Sequence, residues 1–136
     1  RLFREDGPMP LKDLVPGLDW DGTVSDYPKG FARLVQHCDR VVIITVNDEI
    51  TPAVAGDWLS VSPERFEVRI CPDERLDDYA LWKAEQCLAA GVEVMFDDDP
   101  AVVDACLKQG IATIGVREDS ERFHRGDVRL GGRAND

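Results

Sequence analysis

Asp19-Trp20-Asp21-Gly22-Thr23-Val24 sets two carboxylates two residues apart, ahead of a glycine turn and a hydroxyl and directly after the short apolar stretch 14–18. If that stretch is a strand, residues 19 and 21 project from its carboxyl end, where open α/β sheets bind ligands. A carboxylate there acts as a nucleophile or holds a hard metal ion. The two roles combine in phosphoryl transfer, because an aspartyl phosphate forms once Mg²⁺ neutralises the repulsion between the attacking carboxylate and the phosphate. Taken alone, the segment also reads as an Asp-Gly hairpin turn with two solvated acids. Three later segments bear on that choice.

Phe96-Asp97-Asp98-Asp99-Pro100 puts three consecutive acids at the end of an apolar run. Their mutual repulsion is costly unless a cation or helix amides compensate it. Asp99-Pro100 reads as a helix cap, which accounts for one aspartate but not three. Thr45 closes the run 41–44 and is followed by Asn47. In a parallel sheet its hydroxyl stands beside the end of the first strand, placed to donate to a phosphate oxygen, and the alternative is a Thr that ends the strand and caps the next helix. Lys83 shares a helical stretch with Leu81, Trp82, Cys87 and Leu88. It reads either as a surface lysine or, from the amino-terminal part of its helix, as an ammonium reaching the same cleft.

The elements that must position these residues follow from the hydrophobic pattern. Val41-Val42-Ile43-Ile44 is a β-branched run with the signature of a strand buried on both faces. Residues 66–70 alternate like a strand nearer an edge, and 92–96 and 111–116 give two more. Helical patterns lie between them at 31–38, 51–59, 76–90 and 101–109, with Gly91 and Gly110 as C-terminal stops. Such alternation predicts a Rossmann-like, doubly wound, mostly parallel five-stranded sheet with helices on both faces. Pro16-Gly17 interrupts the strand that should be central, where proline supplies no ladder donor, so that strand is expected to be bulged or to start late. Residues 1–12 read as an extended lead-in. Residues 119–136, which include Arg125-Gly126-Asp127, read as a short extra element and a mobile tail.

At 136 residues and 43% hydrophobic, the chain has material for one core burying roughly two-thirds of its unfolded surface, so a single domain is expected. No apolar run approaches the roughly 20 residues a membrane helix needs, and residues 1–10 lack the apolar centre of a signal peptide. No membrane partner and a cytoplasmic location are therefore expected. Cys38, Cys71, Cys87 and Cys106 are widely spaced, with only His37 and His124 as co-ligands. They read as small, half-buried apolar residues in a reducing compartment rather than as a zinc site or disulfide framework. The balance of 27 acidic against 16 basic residues, net −11, disfavours indiscriminate nucleic-acid binding.

Taken together, Asp19-Trp20-Asp21-Gly22-Thr23-Val24, Thr45, Lys83 and Asp97-Asp98 resemble, in order, the four motifs of the haloacid dehalogenase superfamily of aspartate-nucleophile phosphatases. The likeness runs from about residue 14 to residue 116. It also takes in Asp98-Asp99-Pro100-Ala101-Val102-Val103-Asp104-Ala105-Cys106 and the Gly110-Ile111 entry to the last strand. The resemblance implies a nucleophile at Asp19 and a general acid and base at Asp21. It implies Mg²⁺ held by Asp19, the backbone carbonyl of Asp21 and Asp98, with Asp97 orienting its waters. Thr45 and Lys83 would bind phosphoryl oxygens, and Asn47 is counted with them as phosphate-binding. The implied activity is Mg²⁺-dependent hydrolysis of phosphate monoesters.

Within that superfamily, Asp21 favours ester hydrolysis over mutase, phosphonatase or dehalogenase chemistry, because both protonating an alkoxide and activating water need an acid/base. A response-regulator receiver domain also combines acids, Thr, Lys and Mg²⁺, but there the lysine precedes a proline on the last strand, and here Lys83 comes before the fourth. A non-catalytic module with the same fold is the third alternative. Neither 25–40 nor 47–82 has room for a cap module. An open cleft is therefore expected, suited to a phosphorylated macromolecule or to a small substrate enclosed by a second copy of the chain.

Overall fold

The computed structural model describes residues 10–116 and the backbone of two short strands before them, β1 (Phe3–Arg4) and β2 (Gly7–Pro8). These pair antiparallel, Phe3 opposite Pro8. The lead-in is thus a small ladder followed by a tight turn at Leu11–Asp13, rather than extended throughout. The extra element and tail expected over 119–136 lie outside the described residues.

Five strands form the main sheet: β3 (Pro16–Leu18), β4 (Val41–Thr45), β5 (Phe66–Ile70), β6 (Val94–Asp97) and β7 (Ala112–Gly115). Their order is β5-β4-β3-β6-β7 and every pairing is parallel. The helices are α1 (Pro28–Val35), α2 (Pro52–Leu59), α3 (Tyr79–Ala90) and α4 (Pro100–Lys108). Alternate residues of β4 feed different cores, as the pleat requires. Val41 and Ile43 pack with Phe31, Val35, Ala55 and Leu59 of α1 and α2. Val42 and Ile44 pack with Trp82, Cys87, Val102 and Cys106 of α3 and α4. The sheet is therefore covered on both faces, and the fully buried β-branched run is what such coverage selects. All four cysteines are buried and free.

The break at Pro16-Gly17 resolves as a late start. Pro16 is the first residue of β3, the one strand position where a missing N–H is easily tolerated. Gly17 is required by packing: a Cβ there would lie 2.9 Å from both Met95 Sδ and Val92 Cγ1. Beyond β3 the Asp19 N–H still donates to the Phe96 carbonyl at 3.0 Å, which fixes the start of the following turn against β6.

Helix starts deviate where local chemistry outweighs apolar periodicity. α1 begins at Pro28 rather than at residue 31, because proline at the first helical position loses no hydrogen bond. α3 begins at Tyr79 rather than at residue 76, after a tighter helical stretch over Asp73–Asp78. α2 is capped by Thr51, whose hydroxyl accepts the Val54 N–H at 3.1 Å.

From β3 the chain winds outward through β4 and β5, then crosses to the other side of β3 for β6 and β7. α1, which follows β3, and α4, which follows β6, pack into different cores. The carboxyl ends of β3 and β6 thus flank the switch point, the crevice where open α/β sheets take their ligands. Among the described residues, no helix is long and apolar enough to cross a membrane.

Candidate active site

Immediately after β3 the chain turns sharply. Asp19 and Asp21 keep extended backbones, while Gly22 takes φ +83°, in the left-handed region that favours glycine. A Cβ on Gly22 would also sit 2.2 Å from Asp98 Oδ2, so a bare backbone here is what lets the acid after β6 approach the turn after β3. The Ser25 hydroxyl accepts the Gly22 N–H at 3.0 Å. An Asp-Gly hairpin is absent here, since β3 has parallel neighbours on both sides.

Lys83, 3% exposed, reaches from α3 to the ends of both strands. Its Nζ lies 2.7 Å from Asp19 Oδ1 and 3.0 Å from Asp97 Oδ2. Asp19 is 6% exposed and Asp97 fully buried. The Thr23 hydroxyl donates to Asp19 Oδ2 at 3.1 Å, with Asp98 Oδ1 3.5 Å away. Burial pushes the Asp19 carboxyl up to about 7 against the pull of Lys83, and Asp97 adds to the rise. Burial likewise raises Asp97. It works against the Lys83 ammonium, but Asp19 and Asp97 outweigh it and hold that group above the usual lysine value.

One ammonium therefore faces two buried carboxylates and leaves negative charge uncompensated, an arrangement that favours binding of a further cation. Asp19, Asp97 and Asp98 each offer an oxygen within 4.8 Å of the others, a group that could hold a metal ion. The donors are hard carboxylate oxygens, which fit such an ion.

The three consecutive acids have three different surroundings. Asp97 Oδ1 accepts the Asp99 N–H at 2.9 Å while its other oxygen faces Lys83. Asp99 caps α4, accepting the Ala101 N–H at 2.9 Å, and receives the Tyr79 hydroxyl. Asp98 faces the cleft, a hollow of about 530 Å³ also lined by Asp19, Asp21, Lys83 and the apolar Val46 and Leu76.

Asp21 is exposed, and the Asn47 side-chain amide donates to its two oxygens at 3.3 and 3.2 Å. Asn47 thus meets Asp21 and does not line the cleft. Thr45 is buried, and its hydroxyl accepts the Asn47 N–H at 3.0 Å instead of capping α2. Thr23, Ser25 and Tyr79 join the site without having been assigned a part in it. Thr23 and Ser25 carried a weak signal as hydroxyls within or beside the first acidic segment; Tyr79, one helical turn before Lys83, carried none.

No protein-family model, curated protein or solved structure matches the chain.

Proposed function

We propose that the chain is a Mg²⁺-dependent phosphomonoesterase of the haloacid dehalogenase type, working through an aspartyl phosphate on Asp19. The observation that carries this reading is the convergence of Asp19, Asp97 and Asp98 around one buried lysine at the switch point of a parallel sheet. A structural ion pair needs no third carboxylate; a site for a cation and a phosphoryl group does.

An Asp19 carboxylate oxygen forms the bond to phosphorus as the bond to the ester oxygen breaks, and Asp21 gives its proton to the departing alkoxide. Asp21, now a carboxylate, takes a proton from water as the water oxygen attacks phosphorus; the acyl phosphate bond breaks, Asp19 is restored and orthophosphate leaves. Asn47 holds the Asp21 carboxyl in one orientation through both steps. Lys83 supplies the positive charge lining the cleft and takes phosphoryl oxygens. Thr45, buried and not among the cleft's lining residues, acts by holding the Asn47 backbone. Asp19, Asp98 and the Asp21 carbonyl would hold Mg²⁺, with Asp97 orienting its waters. The ion supplies charge that offsets the repulsion between carboxylate and phosphate.

The expected outcome on an aryl phosphate with Mg²⁺ is that Asp19→Asn removes turnover, because residue 19 makes the bond. Asp21→Asn slows turnover severely and lets the aspartyl phosphate accumulate, because residue 21 moves only protons. Near wild-type rates in Asp19→Asn would end the nucleophile assignment. The cleft is open among the described residues, which favours an ester carried on a macromolecule, or a small one enclosed by a second subunit.

A further inference from the structure

Asp21 borders two hollows. Besides the acidic cleft, it lines a second of about 370 Å³, whose walls include Trp58, Ile50, Val54, Asn47 and Glu49. Trp58, on α2, is 49% exposed and meets the buried Trp20 edge to face, centroids 5.6 Å apart at 72°. Trp20 lies between the two acids in the chain, so the exposed indole is braced on the same turn that carries Asp19 and Asp21.

The in-line geometry of phosphoryl transfer decides what this second hollow faces. The nucleophile and the leaving oxygen lie on opposite sides of phosphorus, and the group that protonates the leaving oxygen must touch it. With the phosphoryl group in the cleft against Asp19, the ester oxygen sits at Asp21 and the rest of the alcohol continues past it. Past Asp21 stand Trp58 and the apolar side chains of Ile50 and Val54. The polar residues there are Asp21, Ser25, Asn47 and Glu49, and none of the lining residues is basic. A second phosphate or a carboxylate on the alcohol would meet two like charges, Asp21 and Glu49, and no opposite one; an uncharged ring would meet the Trp58 indole.

We propose that the second hollow is the leaving-group subsite and that it takes an uncharged alcohol with an aromatic ring close to the ester oxygen, packed against Trp58. This rests on the phosphatase reading and adds a substrate class to it. Trp58 is a specificity residue here and no part of the bond-making machinery.

The test compares benzyl phosphate with 2-hydroxyethyl phosphate, two alkyl esters whose leaving alkoxides are of similar basicity, on the whole chain with Mg²⁺. Wild-type kcat/KM is expected to be roughly tenfold higher for the benzyl ester. Trp58→Ala should raise KM for the benzyl ester roughly fivefold more than for the hydroxyethyl ester, while Trp58→Phe restores most of the preference. Equal wild-type efficiency on the two esters, or an equal loss on both in Trp58→Ala, would overturn the subsite and leave the phosphatase standing. Release of phosphate from neither ester but from an aryl phosphate would overturn the subsite alone; release from none of the three and from no phosphopeptide would overturn the phosphatase reading and this one with it.

Discussion

A buried carboxylate without a full counter-charge must share a proton or recruit a cation, and Asp19 is in that position. Its folded value of about 7 lies above the ordinary 3.8, so the metal-free native protein keeps a proton that the unfolded chain releases. The stability contributed by this group is complete below about pH 4 and is lost as pH rises through about 7. Asp97, also raised, acts in the same direction. Melting temperature in chelator should therefore fall between pH 5.5 and 8. The gain on adding Mg²⁺ should grow over the same interval, because the ion and the proton compete for the same oxygens. At about a hundred times Kd that gain is roughly 2.7 kcal/mol. Asp98→Asn should erase most of it while leaving the contact between Lys83 and Asp19 in place. Thermal melts at several pH values check this, and melts unaffected by saturating Mg²⁺ would count against a metal centre.

At the scale of elements, β3 is three residues long and yet organises the sheet, because Gly17 lets β6 close against it. Met95 can swing its sulfur aside, but Val92 is stiff about its first torsion. Gly17→Ala should therefore cost about 1–3 kcal/mol, read by urea unfolding, with partial recovery when Val92 is trimmed to Ala. The sheet was legible in sequence where burial on both faces writes a continuous β-branched run, as at 41–44, and where alternation marks a strand, as at 66–70. Element edges were less so. α1 starts at Pro28 among polar and small residues that apolar periodicity does not register, and the stretch before α3 winds more tightly than an α-helix. Of the site, Asp19, Asp97 and Asp98 were legible because acids at strand ends announce themselves, whereas Lys83 alone reads equally as a surface lysine and gains a place only from the resemblance; the structure brings these four together. The positions of Tyr79 and Trp58 depend on contacts with distant segments, at Asp99 and Trp20, which no local pattern encodes.

For the molecule as a whole, α1 and the short connections around it leave no room for a cap over the cleft among the described residues. The expected outcome is that kcat/KM for a phosphopeptide equals or exceeds that for a small ester of matched leaving-group basicity. Much higher efficiency on the small ester by a protein that runs as a monomer would refute this. The strand order has another consequence, which concerns how the chain is made. β3 lies at the centre of the sheet but is translated before the other four strands, and Val15 meets Glu93 across 78 residues of chain. Until β6 emerges from the ribosome, one edge of β3 stays open to strangers, the hazard of parallel sheets with distant pairings. Asp97 and Asp98 arrive with that same strand. The three acids can therefore gather only once the growing chain has closed its central gap, so that a cation held by them would be taken up after β6 is in place and not before.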